Sequence, residues 1–241
     1  MKFLDPLVIH EQGRRDNNED AFSFKEIDDE TSCYVVCDGV GGEQKGEVAS
    51  HIACKSVIDY MQKNNIQYPY KDYIQQMVDF INDEFNRHCL SEPSSRGMAT
   101  TLTLLILYGG KAIIAHIGDS RVYHIRGSEL LFQTRDHSLV NELVQNNIIT
   151  KEEALHHPKR NVITRAIQGK STQADIHVVE TILPGDYFFL CSDGILESVD
   201  TELLIKTLAL QEDDHSKIEK IRNYCNDHSK DNYTALLIPV R

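Results

Sequence analysis

The sequence lacks several features that would assign it to a membrane or secretory class. It contains no tryptophan, and no apolar run approaches the roughly 20 residues that cross a bilayer. Its first residues, MKFLDPLVIHEQGRRD, do not show the basic and then apolar layout of a signal peptide. Repeats, low-complexity tracts and long linkers are also missing. Because 41% of the 241 residues are hydrophobic, we expect one domain spanning 1–241, with one substantial core and a cytoplasmic location.

The six cysteines show no CxxC pair and no Cys/His quartet that would indicate a zinc site. They fall in or beside apolar strands and in segments with helical patterning. This distribution favours buried small hydrophobic side chains.

Basic residues are also in deficit. There are 25 lysines and arginines against 37 acidic residues, which gives a net charge of −12, and no basic run could neutralise nucleic-acid phosphates. A nucleic acid is therefore not the expected partner, and a two-metal nuclease would need a basic track that is missing. An anionic substrate stays possible if bound divalent cations invert the local field.

Two apolar runs end in Asp-Gly. The stretch YVVCDGVGG, residues 34–42, ends in Asp38 and a glycine loop, and YFFLCSDGILESV, residues 187–199, carries Asp193-Gly194. Asp-Gly between two strands is typical of a hairpin, but a segment of helical periodicity follows Asp38. The pattern therefore predicts strand, glycine loop and helix, and the two copies are interpreted as facing halves of one site.

The remaining chain predicts strands in meanders and helices in pairs. Two amphipathic helices are expected at about 43–64 and 71–90, and antiparallel strands over 98–134. Residues 135–170 indicate short helices, including a capping box at Thr150 to Glu153. Strands return near 174–193, followed by helices at about 201–211 and 215–228 and a last strand at YTALLIPV. This order favours an α+β layered domain over a doubly wound parallel sheet.

Acidic residues recur at the ends of the predicted strands. Together they would repel one another and take up protons, unless hard divalent cations removed that penalty. A ligand set made only of oxygen atoms favours Mg²⁺ or Mn²⁺ over zinc. Asp136, Asp186 and Asp200 are instead predicted to be caps or turn residues. The candidate ligands are Glu19, Asp20, Asp38, Asp119, Asp193 and Asp231.

Eight motifs in order give the chain a resemblance to the metal-dependent protein phosphatases of the protein phosphatase 2C family, in their bacterial form. They are RRDNNED, DGVGG, GMATTLTLL, IGDSRVY, TRDHSLV, HPKRNVITRAI, LCSDGILE and DNYTALLI, and the resemblance covers about residues 8 to 240. The resemblance implies a four-layer α-β-β-α sandwich, in which two central antiparallel sheets are flanked by helix pairs. It also implies hydrolysis of phosphoserine and phosphothreonine on proteins, by a metal-bridging water that attacks phosphorus in line.

The same resemblance implies a role for each site residue. Asp38 would bridge two core metals, Mn²⁺ or Mg²⁺, and Gly39 would lend its backbone carbonyl to one of them. Asp193 and Asp231 would bind the first metal and Glu19 the second, while Asp20 supports metal-bound waters. Asp119 would help hold a weaker third metal. Arg15, whose planar fork matches two phosphate oxygens, would bind phosphate.

Two residues depart from the family pattern. Val40 stands where many eukaryotic relatives have a histidine, which leaves the general acid unassigned; we expect a metal-bound water to serve. Glu197 stands where relatives commonly have an aspartate near the third metal, and we keep it outside the core set. Surface or capping roles are predicted for His137, His156 and His157.

Residues 135–170 match the family segment that forms a flap beside the cleft. Its basic residues Lys159, Arg160, Arg165 and Lys170 either meet the phosphoprotein or form a solvated loop. The alternative to an enzyme is a catalytically inactive, phosphoprotein-binding regulator on the same scaffold, which the intact acid set disfavours. The expected partners are phosphoprotein substrates, those of a bacterial-type Ser/Thr kinase, and the expected state is a monomer without a membrane contact.

Overall fold

The computed structural model describes residues 5–40 and 45–241. Its strands are β1 Leu7–Glu11, β2 Asp20–Asp28, β3 Thr31–Val40, β4 Ala99–Thr100, β5 Leu102–Tyr108, β6 Lys111–Ile117, β7 Arg121–Arg126, β8 Glu129–Gln133, β9 Asp175–Val179, β10 Asp186–Cys191 and β11 Tyr233–Pro239. Its α-helices are α1 Lys45–Lys63, α2 Tyr70–Ser91, α3 Leu139–Gln145, α4 Lys151–Leu155, α5 Asp193–Leu196, α6 Thr201–Leu208 and α7 Asp214–His228. Glycines 41 and 42 of the DGVGG motif lie outside the described residues.

The strands form two antiparallel sheets. One has the order β1-β11-β10-β7-β8, and the other has the order β2-β3-β5-β6-β9, with the short β4 paired to β3. Aliphatic and aromatic side chains of both sheets meet in a central core that includes Tyr34, Phe188 and Leu236. The alternation of inward and outward residues on each strand leaves a second apolar face on each sheet.

Helices cover those outer faces. The pair α1 and α2 packs on the sheet that contains β3, through residues such as Val57, Ile74 and Phe85. The pair α6 and α7 packs on the other sheet, through residues such as Leu204 and Ile221. The predicted α+β class and the four-layer α-β-β-α sandwich are confirmed.

Local predictions fared unevenly. The capping box is present, since Thr150 and Glu153 each bond the other's backbone N–H, and Asp200 caps α6 by accepting from the N–H of Leu203. Asp186 is a turn residue as predicted, since its Oδ2 accepts from the N–H of Leu183 at 3.0 Å in the turn before β10. Asp136 was wrongly predicted to be a cap or turn residue. Both acids also pair with an arginine, because a carboxylate that is removed from water needs a positive partner.

Asp186 is fully buried beside Arg126 and His124. Its Oδ1 accepts from Nε of Arg126 at 2.5 Å, and its Oδ2 lies 3.0 Å from Nε2 of His124. Within the described ranges, no helix has the length and apolar character that would span a membrane.

Candidate metal centre

The candidate ligands gather at one end of the two sheets. Asp20, the first residue of β2, pairs directly across the ladder with Asp38, near the end of β3. Asp193 follows β10, and Asp231 precedes β11, its antiparallel neighbour. Asp119 lies in the turn between β6 and β7. Two sheets that stack face to face thus bring the ends of five separate strands to one edge.

Asp38 and Asp193 contact each other directly. Their carboxyl groups hydrogen bond, and burial, followed by the charges of Asp193, Asp20 and Asp119, raises the pKa of Asp38 well above its ordinary value. Burial, followed by the charge of Asp231, raises the pKa of Asp193 to about 6, although the hydrogen bond from Asp38 opposes this shift. The two acids therefore hold a proton more tightly than isolated carboxyl groups would.

Asp20 is the most buried acid of the group, at 2% exposure. Its Oδ2 accepts a hydrogen bond from Oγ of Ser192 at 2.7 Å. Burial raises its pKa to about 7, against the opposing hydrogen bonds from Ser192 and Thr234. Because protein hydroxyls already occupy part of this carboxylate, its geometry suits a supporting position more than a primary ligand.

Asp119 approaches from the β6–β7 turn. Burial, followed by the charges of Asp193 and Asp136, raises its pKa to about 7. The neighbouring Ser120 shares a hydrogen bond with Thr101, at 2.8 Å between the two hydroxyl oxygens. Thr101 in turn accepts from the backbone N–H of Asp38 at 2.9 Å. The turn is therefore tied to the strand that carries the central acid.

Asn232 joins the remaining acids to the N-terminal loop. Its Oδ1 accepts from the backbone N–H of Glu19 at 2.9 Å, and its Nδ2 donates to the carbonyls of Gln12 and Asn17 at 2.7 and 2.8 Å. Asp231 precedes it immediately. A single side chain, 6% exposed, therefore fixes the loop that carries Glu19 relative to Asp231. The sequence reasoning did not identify this role, although the Asp-Asn pair was visible.

Arg15 lies on the same loop and points its guanidinium at Asp231. Nη2 donates to Oδ2 of Asp231 at 2.6 Å, while Oδ1 of Asp231 accepts from the backbone N–H of Asn232. The Arg15 side chain is 60% exposed. The hydrogen bond to Asp231, its nearest anion, raises the pKa of Arg15. The rest of the guanidinium is thus exposed and available to a ligand.

Gly39 stands where no side chain would fit. A Cβ at this position would lie 2.1 Å from the carbonyl oxygen of Gly46 and 2.7 Å from that of Glu19. Its N–H donates to the carbonyl of Glu19 at 3.0 Å. The close approach of three backbone segments explains why the apolar strand ends in Asp-Gly.

Glu197 and Arg121 support the site from its rim. Glu197 Oε2 accepts from the backbone N–H of Lys230 at 2.7 Å, so this acid holds the turn that leads to Asp231. Arg121 forms a two-pronged ion pair with Asp136, through contacts of 2.6 and 2.7 Å. This pair joins the start of β7 to the start of segment 135–170. The sequence did not identify Arg121 and Asp136 as partners of each other.

A cleft of about 1050 Å³ opens beside the acids. Its wall includes Asp119, Asp193 and Asp231 on one side and residues of segment 135–170 on the other. Arg160 lines it, as does Lys151, which the sequence reasoning did not consider, whereas Arg165 is ion-paired with Asp175 instead. The arrangement can accommodate an anionic group between the acidic edge and basic side chains of the segment.

The three histidines considered from the sequence behave differently. His156 caps the C-terminal end of α4, and Nδ1 of His157 accepts from the N–H of Lys159, as predicted for capping positions. The prediction was wrong for His137, which is 8% exposed and hydrogen bonded to Gly118. The contact between His137 and Gly118 joins two separate sequence motifs, and only the tertiary fold brings them together.

The donor set fits a hard divalent cation. Oxygen atoms converge from several carboxyl groups. Burial, and after it the charges of neighbouring acids, raises the pKa values of Asp38, Asp193 and Asp119, and bound cations would offset both effects. The chemistry of the donors favours Mg²⁺ or Mn²⁺ over softer metals.

The raised pKa values predict that the metal-free protein loses stability as the pH rises. Asp20 and Asp119 titrate near 7 in the folded protein and near 3.8 in the unfolded chain, so the folded state binds more protons between these values. In chelator, we expect the melting temperature to fall by roughly 3 °C from pH 6.5 to pH 8. Differential scanning calorimetry checks this, and Asp119→Asn should give a shallower slope. A flat wild-type profile would contradict the prediction.

Comparison with known proteins adds to this geometry. The Protein phosphatase 2C family matches residues 10–226. "Serine/threonine phosphatase stp" of Listeria innocua is 33% identical over 238 residues, which cover 95% of this chain and 92% of the relative. The serine/threonine phosphatase of S. agalactiae superimposes with a TM-score of 0.89 at 27% identity, covering 99% of this chain and all of the other. The catalytic domain of PstP, solved with two manganese ions, gives a TM-score of 0.82 at 27% identity and 99% coverage of both chains. With a match of this extent in family and fold, the chain belongs to the protein phosphatase 2C family.

Proposed function

We propose that this protein is a metal-dependent serine/threonine phosphatase whose reaction takes place at the acidic edge described above. The observation that carries the proposal is the contact between Asp38 and Asp193, whose carboxyl groups come from different sheets and share a hydrogen bond. Acids that are this close without a cation are destabilising, which argues for a bound state in which cations separate them. We also propose that residues 1–241 form one catalytic domain, with 135–170 as its flap.

Each residue has one part in the proposed mechanism. Asp38, which pairs across the ladder with Asp20 and contacts Asp193, would hold both core cations, with Asp193 and Asp231 on one and Glu19 and the Gly39 carbonyl on the other. When bound, these cations supply Lewis-acid stabilisation of phosphate charge and a water of lowered pKa. Asp20, bonded to Ser192, would orient that water. Arg15 would bind the phosphate oxygens and align phosphorus for in-line attack.

The test of the proposal is turnover with and without cations. A phosphothreonine peptide and p-nitrophenyl phosphate are assayed with Mn²⁺, with Mg²⁺ and with chelator. We expect turnover with either cation and none in chelator, restored when Mn²⁺ is added back. A regulator that binds phosphoproteins without turnover would instead retain the phosphopeptide by calorimetry and release no phosphate, and that outcome would overturn the enzyme proposal.

Substitution of Arg15 tests phosphate binding. Arg15→Lys keeps the charge but loses the planar fork, so we expect kcat/KM for the phosphopeptide to fall by about tenfold to a hundredfold, with KM rising. The inhibition constant for inorganic phosphate should rise in parallel. Arg14→Lys is the matched control, because Nη2 of Arg14 only contacts the carbonyl of Asp227 at 3.4 Å. Equal losses in both variants would remove the assigned role of Arg15.

The flap is proposed to contact the protein substrate through its basic residues. Arg160 lines the cleft, and Lys159 is its neighbour. Charge reversal of both residues to glutamate should lower kcat/KM for a phosphopeptide by about tenfold and leave p-nitrophenyl phosphate turnover within about twofold. Lys170→Glu, on the exposed far end of the segment, is the control. Unchanged peptide efficiency would exclude this contact.

Three further parts of the proposal concern context. Asp119 would bind a third, weaker cation, and Mn²⁺ or Mg²⁺ would fill the core sites. The substrates would be phosphoproteins made by a bacterial-type Ser/Thr kinase. Six free cysteines are consistent with a reducing cytoplasm, which is the proposed location. A monomer in solution is also part of the proposal.

A further inference from the structure

His137 joins the turn of Asp119 to the flap. Its backbone N–H donates to the carbonyl of Gly118 at 2.8 Å, and its ring Nδ1 accepts from the N–H of the same glycine at 3.0 Å. Its own carbonyl accepts from the N–H of Thr164 at 2.8 Å. Gly118 immediately precedes Asp119. One residue therefore satisfies both backbone groups of Gly118 and also anchors the returning end of the flap.

Asp175 sets the orientation of the His137 ring. Nε2 of His137 lies 3.1 Å from Oδ2 of Asp175, whose Oδ1 accepts from Nη1 of Arg165 at 2.6 Å. Because Nδ1 is a hydrogen-bond acceptor, the neutral ring carries its proton on Nε2, on the side of the carboxylate. Burial, the largest cause, lowers the pKa of His137, so the neutral ring predominates near pH 7.

The neighbouring His116 makes the cluster look like a metal site. The potential ligand atoms of His116, His137 and Asp175 lie within 4.8 Å of one another, and the two rings stack with centroids 4.2 Å apart. A cation on Nε2 of His137 would have to displace the proton from a ring whose Nδ1 already accepts a backbone hydrogen bond. A metal ligand normally donates through its second nitrogen. The contacts of this cluster therefore orient the His137 ring and do not form a metal site.

The other side of the Gly118 turn is also fixed. Gly118 has φ +106°, and a Cβ here would lie 2.5 Å from Cγ2 of Thr101. Thr101 hydrogen bonds to the backbone of Asp38 in both directions, at 2.8 and 2.9 Å. Asp119 thus lies on a turn that is held between Thr101, on the side of the core metals, and His137, on the side of the flap.

We propose that His137, oriented by Asp175, is a positioning residue that fixes the Gly118–Asp119 turn and thereby couples the flap to cation binding at Asp119. The inference rests on the proposed function in one respect, which is that Asp119 binds a cation. His137 touches neither substrate nor cation in this scheme. It acts by keeping the Asp119 carboxylate in place, and the flap is connected to His137 through the hydrogen bond from the N–H of Thr164.

Three variants of His137 separate this role from general packing. His137→Leu keeps the volume but removes the acceptor for the Gly118 N–H. His137→Asn restores it, because an asparagine oxygen reaches the place of Nδ1, whereas the longer His137→Gln does not. By Mn²⁺ calorimetry, we expect Leu and Gln to weaken the Asp119-dependent site by about tenfold, as for the loss of one buried hydrogen bond, and Asn to recover most of it.

Controls distinguish the possible failures. His177 lies in the same strand as Asp175, and its ring stacks on Phe132. The substitution His177→Leu should therefore leave Mn²⁺ binding unchanged. In an Asp119→Asn background, His137→Leu should have no further effect on Mn²⁺ binding. An equal tenfold loss in that background would overturn the positioning role. A wild-type isotherm without an Asp119-dependent step would overturn the third-cation proposal together with this one, while chelator-sensitive turnover would still support the phosphatase.

Coupling is reciprocal, and this gives a readout independent of activity. Saturating Mn²⁺ should slow amide hydrogen exchange at residues 159–165 of the wild-type protein severalfold. The slowing should be lost in His137→Leu and in Asp119→Asn, and kept in His137→Asn. Protection that is unchanged by Mn²⁺ in the wild type, or retained in His137→Leu, would contradict the coupling.

Discussion

Asp38→Asn is expected to abolish turnover and, at the same time, to stabilise the metal-free protein. The variant loses the carboxylate that is proposed to hold both core cations, so kcat/KM with Mn²⁺ should fall by about a thousandfold or more. An amide at this place can still donate a hydrogen bond to Asp193 and carries no charge. Because burial and three neighbouring acids raise the pKa of Asp38, its ionised form is a cost to the folded protein that the variant removes.

The stabilisation has a defined pH dependence. A raised folded-state pKa means that the wild-type carboxyl group is protonated and harmless at low pH, and that its stabilising contribution is lost as the pH rises. In chelator at pH 8 we expect the melting temperature of Asp38→Asn to exceed that of the wild type by about 5 °C, with a smaller gap at pH 6. Calorimetry in chelator measures both values.

A matched control and a contrary result complete this test. Asp29→Asn changes an exposed acid at the far end of the same hairpin and should alter neither activity nor stability. Saturating Mn²⁺ should reverse the order of the melting temperatures, because cations stabilise only the protein that binds them. A variant that is inactive and also less stable than the wild type in chelator at pH 8 would contradict the account of Asp38 as a repulsive site that cations relieve.

Asn232→Ala is expected to damage both stability and catalysis. The variant removes three side-chain hydrogen bonds, to the backbones of Gln12, Asn17 and Glu19. Each of these partly buried hydrogen bonds contributes about 1 kcal/mol, so we expect the free energy of unfolding to fall by about 3 kcal/mol in urea titrations. The loop that carries Arg15 and Glu19 would lose its register with Asp231, and kcat/KM should fall by about a hundredfold.

Conditions can separate the two effects of this substitution. The activity loss should persist at saturating Mn²⁺ and at a temperature where the variant is fully folded. Asn146→Ala is the control, because its amide only bonds within an exposed turn of α3. If the free energy of unfolding falls by about 3 kcal/mol while kcat/KM is unchanged, Asn232 has a structural role only.

The fold could be predicted from local patterns because those patterns state which faces are buried. The amphipathic segment at 71–90 became α2, Tyr70–Ser91, and the paired order of strands and helices led to the four-layer sandwich. Predictions failed where a polar side chain finds its partner far along the chain. The ion pair of Asp186 was missed because its partner Arg126 lies 60 residues away, and Asp136 was misread because its partner Arg121 lies 15 residues away, at the start of β7.

The candidate site shows the same division. The types of the candidate ligands could be predicted from the sequence alone, because acidic residues at the ends of apolar strands can be recognised there. The family could also be predicted from its motifs. The tertiary structure alone decided which acids touch, that Asp20 is held by Ser192, and that Asn232 and His137 position the loops. The physical reason is that side-chain chemistry is local, whereas repulsion, burial and hydrogen-bond pairing depend on distances between segments that only the packing of two sheets sets.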